Sequence, residues 1–257
     1  SAQCVTPEVI NFMAKECRGL ICLAISDEIA KNLALPQMVT NNTEKMRTAF
    51  TLSVDASENF GVTTGISAFD RAKTVEVAIA PDAKPQDLRR PGHIFPCVAK
   101  KGGVLTRIGH TEACVDMAML AKHRPAGVMC EIMNEDGTMA RRDDLKKFAD
   151  KHGYKFISVS ELVAYRLQSE KLVTREAEAF LPTKFGDFKI YGYVNHVNGH
   201  EHVALVKDDG SDKIPLIRVH SECLTGDVFH SLKCDCNSQL HNALRMIDEY
   251  GKGALVY

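Results

Sequence analysis

Three cysteines near the C-terminal end, Cys223, Cys234 and Cys236, stand among hydrogen-bonding and charged residues in His220-Ser221-Glu222-Cys223 and Cys234-Asp235-Cys236. Thiolates are soft ligands with high affinity for zinc, and three protein ligands leave one position open for water. The other reading of the spacing is a core thiol, Cys223, with a chance pair at 234 and 236. Arg218 and His220 on an expected strand, and Asp235 between two cysteines, favour a site over an apolar core.

A second cluster is Arg107-Ile108-Gly109-His110-Thr111-Glu112. An Arg just before a helix start can grip a phosphate with its guanidinium while first-turn N–H groups face the same anion. His110 could bind a metal or move a proton. The same residues also read as a capped helix with a solvated Arg. His93, fixed between Arg90-Pro91-Gly92 and Ile94-Phe95-Pro96, is positioned rather than free. Glu131, between Cys130 and Ile132 in an expected buried strand, must have a partner or do acid–base work, because an unpaired buried carboxylate is costly.

The elements that would hold these groups follow from periodicity. Thr6 and Pro7 open a helix that Gly19 ends, and Leu20 to Ile25 is a short apolar run suited to a buried strand. Phe50, Leu52 and Val54 alternate with Thr51 and Ser53 as a one-sided strand. Thr74 to Ile79 fits either a strand or a helix capped by Asp70. Thr111 is the expected N-cap of the next helix, and Gly127 to Met133 is a strand closed by the turn Asn134-Glu135-Asp136-Gly137. A helix around Leu145 and Phe148, a strand at Phe156 to Val159 and a helix from Ser160 follow. Residues 168–180 are charged and weakly patterned, which predicts a linker. Beyond them, short alternating strands around Tyr191 to Val194 and His202 to Val206 precede one amphipathic helix, Gln239 to Tyr250, stopped by Gly251. The fold class expected is α+β, with domains at 1–167 and 181–257.

With 32 basic and 33 acidic residues and a net charge of −1, nothing marks a nucleic-acid or membrane partner. No apolar run reaches a membrane span. Nine cysteines, mostly in apolar contexts, suit a reducing compartment, which predicts the cytoplasm, or a plastid stroma after loss of a transit peptide.

The motifs Thr64-Gly65-Ile66-Ser67 with Asp70-Arg71, Arg90-Pro91-Gly92-His93, Arg107-Ile108-Gly109-His110-Thr111-Glu112-Ala113 and Pro125-Ala126-Gly127-Val128 leading to Cys130-Glu131 resemble those of 3,4-dihydroxy-2-butanone 4-phosphate synthase. Asp136-Gly137-Thr138-Met139-Ala140-Arg141 and Val163-Ala164-Tyr165-Arg166 extend the likeness over residues 5–167. The resemblance implies an α/β sandwich that converts ribulose 5-phosphate to the four-carbon phosphate and formate with Mg²⁺ or Mn²⁺. It implies that Arg107, Ile108, Gly109, His110 and Thr111 hold substrate, that His110 is a metal ligand, and that His93 and Glu131 are catalytic, Glu131 also touching substrate. A homodimer is implied as well. The family's acidic loop with an Arg-Glu pair does not precede Thr6 here, so a weak or dead synthase is expected of these 257 residues alone.

Arg218-Val219-His220-Ser221-Glu222-Cys223-Leu224-Thr225-Gly226-Asp227, then Cys234-Asp235-Cys236 and Gln239, resemble GTP cyclohydrolase II. This implies that Cys223, Cys234 and Cys236 hold zinc and that Arg218, Val219, His220, Ser221, Glu222 and Gln239 contact GTP. The family's later Gln-Glu-Gly-Arg segment does not appear, so a truncated second domain is expected. Both resemblances lie in riboflavin biosynthesis. The leading expectation is a bifunctional enzyme shortened at both ends. The alternatives are a degenerate homologue kept for assembly or zinc binding, and a synthase with a vestigial tail.

Overall fold

The computed structural model describes residues 1–257 as two compact units, Ser1–Ser169 and Glu170–Tyr257. In the first unit, α1 (Pro7–Phe12) is capped by the Thr6 hydroxyl and runs into a π-helical turn, Met13–Cys17. Arg18, at φ 66°, ends that turn, so Gly19 already belongs to strand β1 (Arg18–Ile25) rather than closing the helix. Next come α2 (Asp27–Asn32), β2 (Val54–Ala56), α3 (Ala68–Ala78), β3 (Leu88–Val98), α4 (His110–Leu120), β4 (Ala126–Ile132), α5 (Arg142–His152) and α6 (Val159–Ser169).

The four strands form one mixed sheet in the order β2-β3-β1-β4, with β1 parallel to β3 and antiparallel to β4. Ile10, Leu23, Ile25, Val54, Val75 and Ile94 are buried together in one core, which packs α1 and α3 onto the sheet. Burial decides the ambiguous stretch at Thr74: it lies inside α3, where Ala72, Val75, Val77 and Ala78 are buried at helical spacing, and Ser67 rather than Asp70 is the cap. The expected strand at Phe50 to Val54 reduces to isolated bridges at Phe50 and Thr51 before β2 begins at Val54. Phe156 to Ser158 is not strand. Their side chains are exposed, and the Ser158 hydroxyl instead accepts from Glu161 N–H at the start of α6.

In the second unit, β5 (Val173–Thr183), β6 (Gly186–Asn195), β7 (Glu201–Asp208), β8 (Leu216–Val219), α7 (Cys236–Tyr250) and β9 (Lys252–Val256) build a five-stranded sheet in the order β5-β6-β7-β9-β8. Most of the expected linker is therefore strand. Residues 173–180 pair with β6, so backbone hydrogen bonds make good the weak side-chain pattern there. β8 and β9 are parallel neighbours joined through α7, whose Leu244 and Ile247 pack against Phe188 and Leu255. This β8-loop-α7-β9 crossover sets the thiols where α/β crossovers place their ligands, beyond the C-terminal end of a strand and at a helix start.

Candidate functional site

His93 owes its position to a local irregularity in the sheet. β2 pairs with β3 through Val54↔Ile94 and then Asp55↔Arg89, so Arg90-Pro91-Gly92-His93 bulges out of the ladder. Bulges re-aim side chains beside functional sites. The Arg90 guanidinium anchors this one through the carbonyls of Leu33 (2.6 Å), Pro85 (3.1 Å) and Leu88 (3.3 Å). Gly92 is needed because a Cβ there would lie 2.0 Å from the Val54 carbonyl carbon.

The bulge returns the His93 ring to Asp55. Nδ1 lies 2.8 Å from Asp55 Oδ2, and the His93 N–H donates to Oδ1 at 2.9 Å. Asp55 is buried, while the ring is partly open to solvent. An ionised carboxylate only accepts, so it holds the proton on Nδ1 and leaves Nε2 outward as a base.

Gly65, at φ 88°, covers this pair. An alanine Cβ there would sit 2.0 Å from Asp55 Oδ2 and 2.7 Å from His93 Nδ1. Gly65→Ala therefore adds a strained backbone and a clash, and is expected to cost about 1–3 kcal/mol. Urea unfolding gives the cost, and a changed His93 ¹⁵N pattern reports the broken couple. Unchanged values of both would contradict this packing.

The Gly65 turn is in turn held by Asp70, whose carboxylate accepts from Thr63 N–H (3.2 Å), Thr63 Oγ1–H (2.9 Å) and Gly65 N–H (3.1 Å). Burial alone would raise the Asp70 pKa, but these donors and Ser67 together hold it below the ordinary value. With the folded pKa depressed, the contribution is complete above the unfolded pKa of about 3.9 and is lost as pH falls through the lower folded value. The expected result is that Asp70→Asn destabilises the protein at pH 6 but by progressively less below pH ~4. Urea midpoints across that range measure it, and a constant difference would contradict the assignment.

Arg107 differs from the sequence expectation of a free phosphate grip. Its Nη1 donates to buried Glu112 at 2.5 Å, Nη2 to Thr48 Oγ1 at 3.1 Å, and Nε and Nη2 both reach the Met46 carbonyl at 3.3 Å. Glu112 also accepts from Lys100 N–H at 2.9 Å. Arg107 thus ties the 42–48 loop to α4. Gly109, not Thr111, is the N-cap of α4. Thr111 is buried within the first turn, while His110 and Ile108 are exposed beside it.

Glu131 is exposed rather than buried, because β4 is an edge strand and its backbone at 131 packs against Gly19 instead. Hydrogen bonding to Cys22, followed by burial, pushes the Cys97 thiol far up. Glu131 raises it further and Arg107 opposes that. Around His110 the donor set is one exposed imidazole, with the adjacent Glu112 spent on Arg107. A hard cation wants several oxygens. These residues alone do not make a magnesium or manganese site.

In the second unit, the Cys223, Cys234 and Cys236 sulfur atoms lie within 4.8 Å of one another. Cys223 and Cys234 Sγ are 3.9 Å apart. Gly226 makes the approach possible, since a Cβ there would meet Cys234 Sγ at 2.7 Å and Cys236 Cβ at 2.9 Å. The Gly226 N–H and then the Thr225 hydroxyl hold the Cys223 thiol below its ordinary value, whereas Cys236, sharing its proton with Cys234 and Cys223, is pushed up to about 12. All nine cysteines are free thiols. Three convergent soft donors in a cradle that excludes a Cβ fit zinc.

The other predicted residues of this unit divide. Arg218 Nη2 donates to Gln239 Oε1, and Gln239 Nε2 donates to Asp235 at 2.9 Å, which links β8 to the start of α7. Val219, Ser221 and Glu222 are exposed, while His220 is buried against Asp227. Two residues that sequence reasoning gave no role, Asp55 and Asp227, turn out to be central. Asp55 carried the signal used for Glu131, a carboxylate between the apolar Val54 and Ala56.

The family profile of 3,4-dihydroxy-2-butanone 4-phosphate synthase matches residues 1–165, and that of GTP cyclohydrolase II matches 174–257. The riboflavin biosynthesis protein RibBA of Aquifex aeolicus is 55% identical over all of this chain and 64% of its own length. RibBA of Synechocystis is 52% identical over all of this chain and 47% of its own. The chain thus spans from just under half to just under two thirds of these relatives' length.

Among solved structures, RibBX of A. baumannii, described as a two-domain 3,4-dihydroxy-2-butanone 4-phosphate synthase, has a TM-score of 0.78 at 42% identity, covering 99% of this chain and 71% of its own. A synthase in complex with two magnesium ions has a TM-score of 0.62 at 41% identity, covering 66% of this chain and 83% of its own. The chain belongs to the 3,4-dihydroxy-2-butanone 4-phosphate synthase family, and its second unit carries the GTP cyclohydrolase II family's sequence.

Proposed function

We propose that the first unit converts ribulose 5-phosphate to 3,4-dihydroxy-2-butanone 4-phosphate and formate. The observation that carries this is the His93–Asp55 couple, a base with its outward nitrogen free and its tautomer fixed by a buried carboxylate. Enediol formation from a ketose needs such a base to take a carbon-bound proton and return it. Glu131, an exposed carboxylate on the edge strand β4, is the second proton carrier. Ile108, Gly109, His110 and Thr111 line the approach at the start of α4, where first-turn N–H groups suit a phosphate. Arg107 acts there by holding the 42–48 loop, and meets substrate only if it leaves Glu112. By likeness to the magnesium-bound synthase, Mg²⁺ or Mn²⁺ would act here with His110 as its one protein ligand, substrate oxygens and water supplying the others. In the assay, protein in excess over uniformly ¹³C-labelled ribulose 5-phosphate and Mg²⁺ should give ¹³C-formate that a chelator abolishes. No formate, or formate indifferent to chelator, overturns the reading.

For the second unit, the reading is a zinc centre of the GTP cyclohydrolase II kind acting on GTP. Zinc bound there would polarise a water for attack on the guanine ring. The Arg218–Gln239 pair, with His220 behind it and Val219, Ser221 and Glu222 exposed beside it, is the nucleotide-facing surface. Stoichiometric zinc is expected in the purified protein, and Cys234→Ser should remove most of it. An unchanged zinc content on elemental analysis sinks the assignment.

A second reading, a companion domain without cyclohydrolase activity, is favoured by the likeness to a two-domain synthase. GTP turnover separates the two readings. A homodimer and a cytoplasmic setting complete the proposal, the latter supported by nine unbridged cysteines. No helix is long and apolar enough to cross a membrane.

A further inference from the structure

Asp227 is the most heavily used buried carboxylate of the second unit, with only 3% of its side chain exposed. Its Oδ2 accepts from the Cys223 N–H at 2.9 Å and the Tyr257 hydroxyl at 3.0 Å. His220 Nε2 lies 3.1 Å from Oδ1 and 3.2 Å from Oδ2. The backbone of Asp227 adds two more ties, its N–H to the Cys223 carbonyl at 2.7 Å and its carbonyl to Asn237 Nδ2 at 3.1 Å. One residue therefore joins the end of β8 through His220, the residue after β9 through Tyr257, the first turn of α7 through Asn237, and Cys223 on both sides of its Cα.

The thiols depend on this arrangement. Cys223 reaches its partners from a loop, Cys236 from the first residue of α7, and only Gly226, adjacent to Asp227, lets them close to within 4.8 Å. Residues that orient ligands without touching the metal commonly change affinity by about 10–100-fold when removed. We infer that Asp227 is a positioning residue that pre-assembles the three-thiol site by clamping Cys223 to the ends of the β8-α7-β9 crossover. This rests on the zinc reading given above.

The geometry also says which replacement should be tolerated. In Asp227→Asn, the amide oxygen can stand where Oδ2 stood and keep the Cys223 and Tyr257 donors. The amide NH₂ then faces His220 Nε2, which can accept once its proton moves to Nδ1, an atom that is buried and has no partner. Asp227→Ala leaves all three donors unmatched.

The test is zinc affinity by chelator competition on the whole chain, together with the thiolate-to-cobalt charge-transfer band of the Co²⁺-loaded protein. Asp227→Ala should weaken zinc about 10–100-fold and lose about a third of the band, the share of one thiolate of three. Asp227→Asn should stay within about tenfold of the unsubstituted protein, with Tyr257→Phe between the two. Leu244→Ala, which loosens the α7 core away from the thiols, is the control for general destabilisation. It should lower the melting temperature and keep zinc affinity and the band. If Asp227→Ala does not fold, Tyr257→Phe carries the test through a threefold or greater loss of affinity. Zinc binding and band intensity unaffected at Asp227 and Tyr257, or lost equally in Leu244→Ala, overturn the inference. Failure of the unsubstituted protein to bind zinc instead overturns the zinc reading, and this inference with it.

Discussion

His93→Asn is expected to slow formate release from ribulose 5-phosphate by about 10²–10⁴-fold, the range that a positioned acid–base group contributes. The asparagine amide can still donate to Asp55, so the bulge at 90–93 should keep its shape and the melting temperature should move little. That separation matters, because a large rate loss in a protein of normal stability points to lost chemistry rather than lost fold. Asp55→Asn gives the complementary case. The base remains, but its partner can no longer fix the tautomer, and the pH profile of the rate should change as well as its height. Rates within threefold of the unsubstituted protein for His93→Asn would remove His93 from the reaction.

The second large effect is on stability. Glu112 is 1% exposed and receives Arg107 at 2.5 Å and the Lys100 N–H at 2.9 Å. Glu112→Ala leaves a guanidinium that is only 19% exposed without its counter-charge, together with an unpaired amide. Breaking one side of a buried pair of this kind costs roughly 3–5 kcal/mol, because the remaining charge stays desolvated. The 42–48 loop should loosen too, since Arg107 is what holds the Met46 carbonyl and Thr48. Replacing both partners with methionine should restore part of the loss, as apolar substitutes for a buried pair often do. Urea unfolding of the two single variants and the double variant gives the coupling directly. A loss under 1 kcal/mol for Glu112→Ala would mean that the pair is solvated in solution.

Much of both sites was legible in the sequence, but unevenly, and the division has a physical basis. Cys234 and Cys236 are neighbours in sequence, and Cys223 lies only one loop away, so spacing alone brought the trio together. Its helix, with Leu244 and Ile247 on one face, was equally plain. His93 was singled out by its flanking Pro and Gly residues. Its partner Asp55, however, lies 38 positions away and is delivered by a bulge in strand pairing that no local pattern encodes. Glu131 was expected to be buried because its neighbours are apolar, but alternation cannot tell a central strand from an edge strand, and β4 is an edge. Arg107 read as a free cation because its partner Glu112 lies inside the same motif and looked like part of a helix start. The charged stretch at 168–180 read as a linker because a strand exposed on most of its length shows little side-chain pattern. Its identity comes from β6 beside it. Asp227 is the strongest case, since the four residues it binds, His220, Cys223, Asn237 and Tyr257, lie at the end of β8, in the following loop, in the first turn of α7 and just after β9.

The central claim is that one chain carries two self-contained sites, a synthase centre around His93 and Asp55 and a thiol metal centre around Cys223, Cys234 and Cys236. The most direct test measures ¹³C-formate release and zinc content on the same preparations of the unsubstituted, Cys234→Ser and His93→Asn proteins. The account predicts that Cys234→Ser loses its zinc and still releases formate within about twofold of the unsubstituted chain, while His93→Asn keeps its zinc and loses formate by at least about a hundredfold. Formate and zinc falling together in either variant would contradict it.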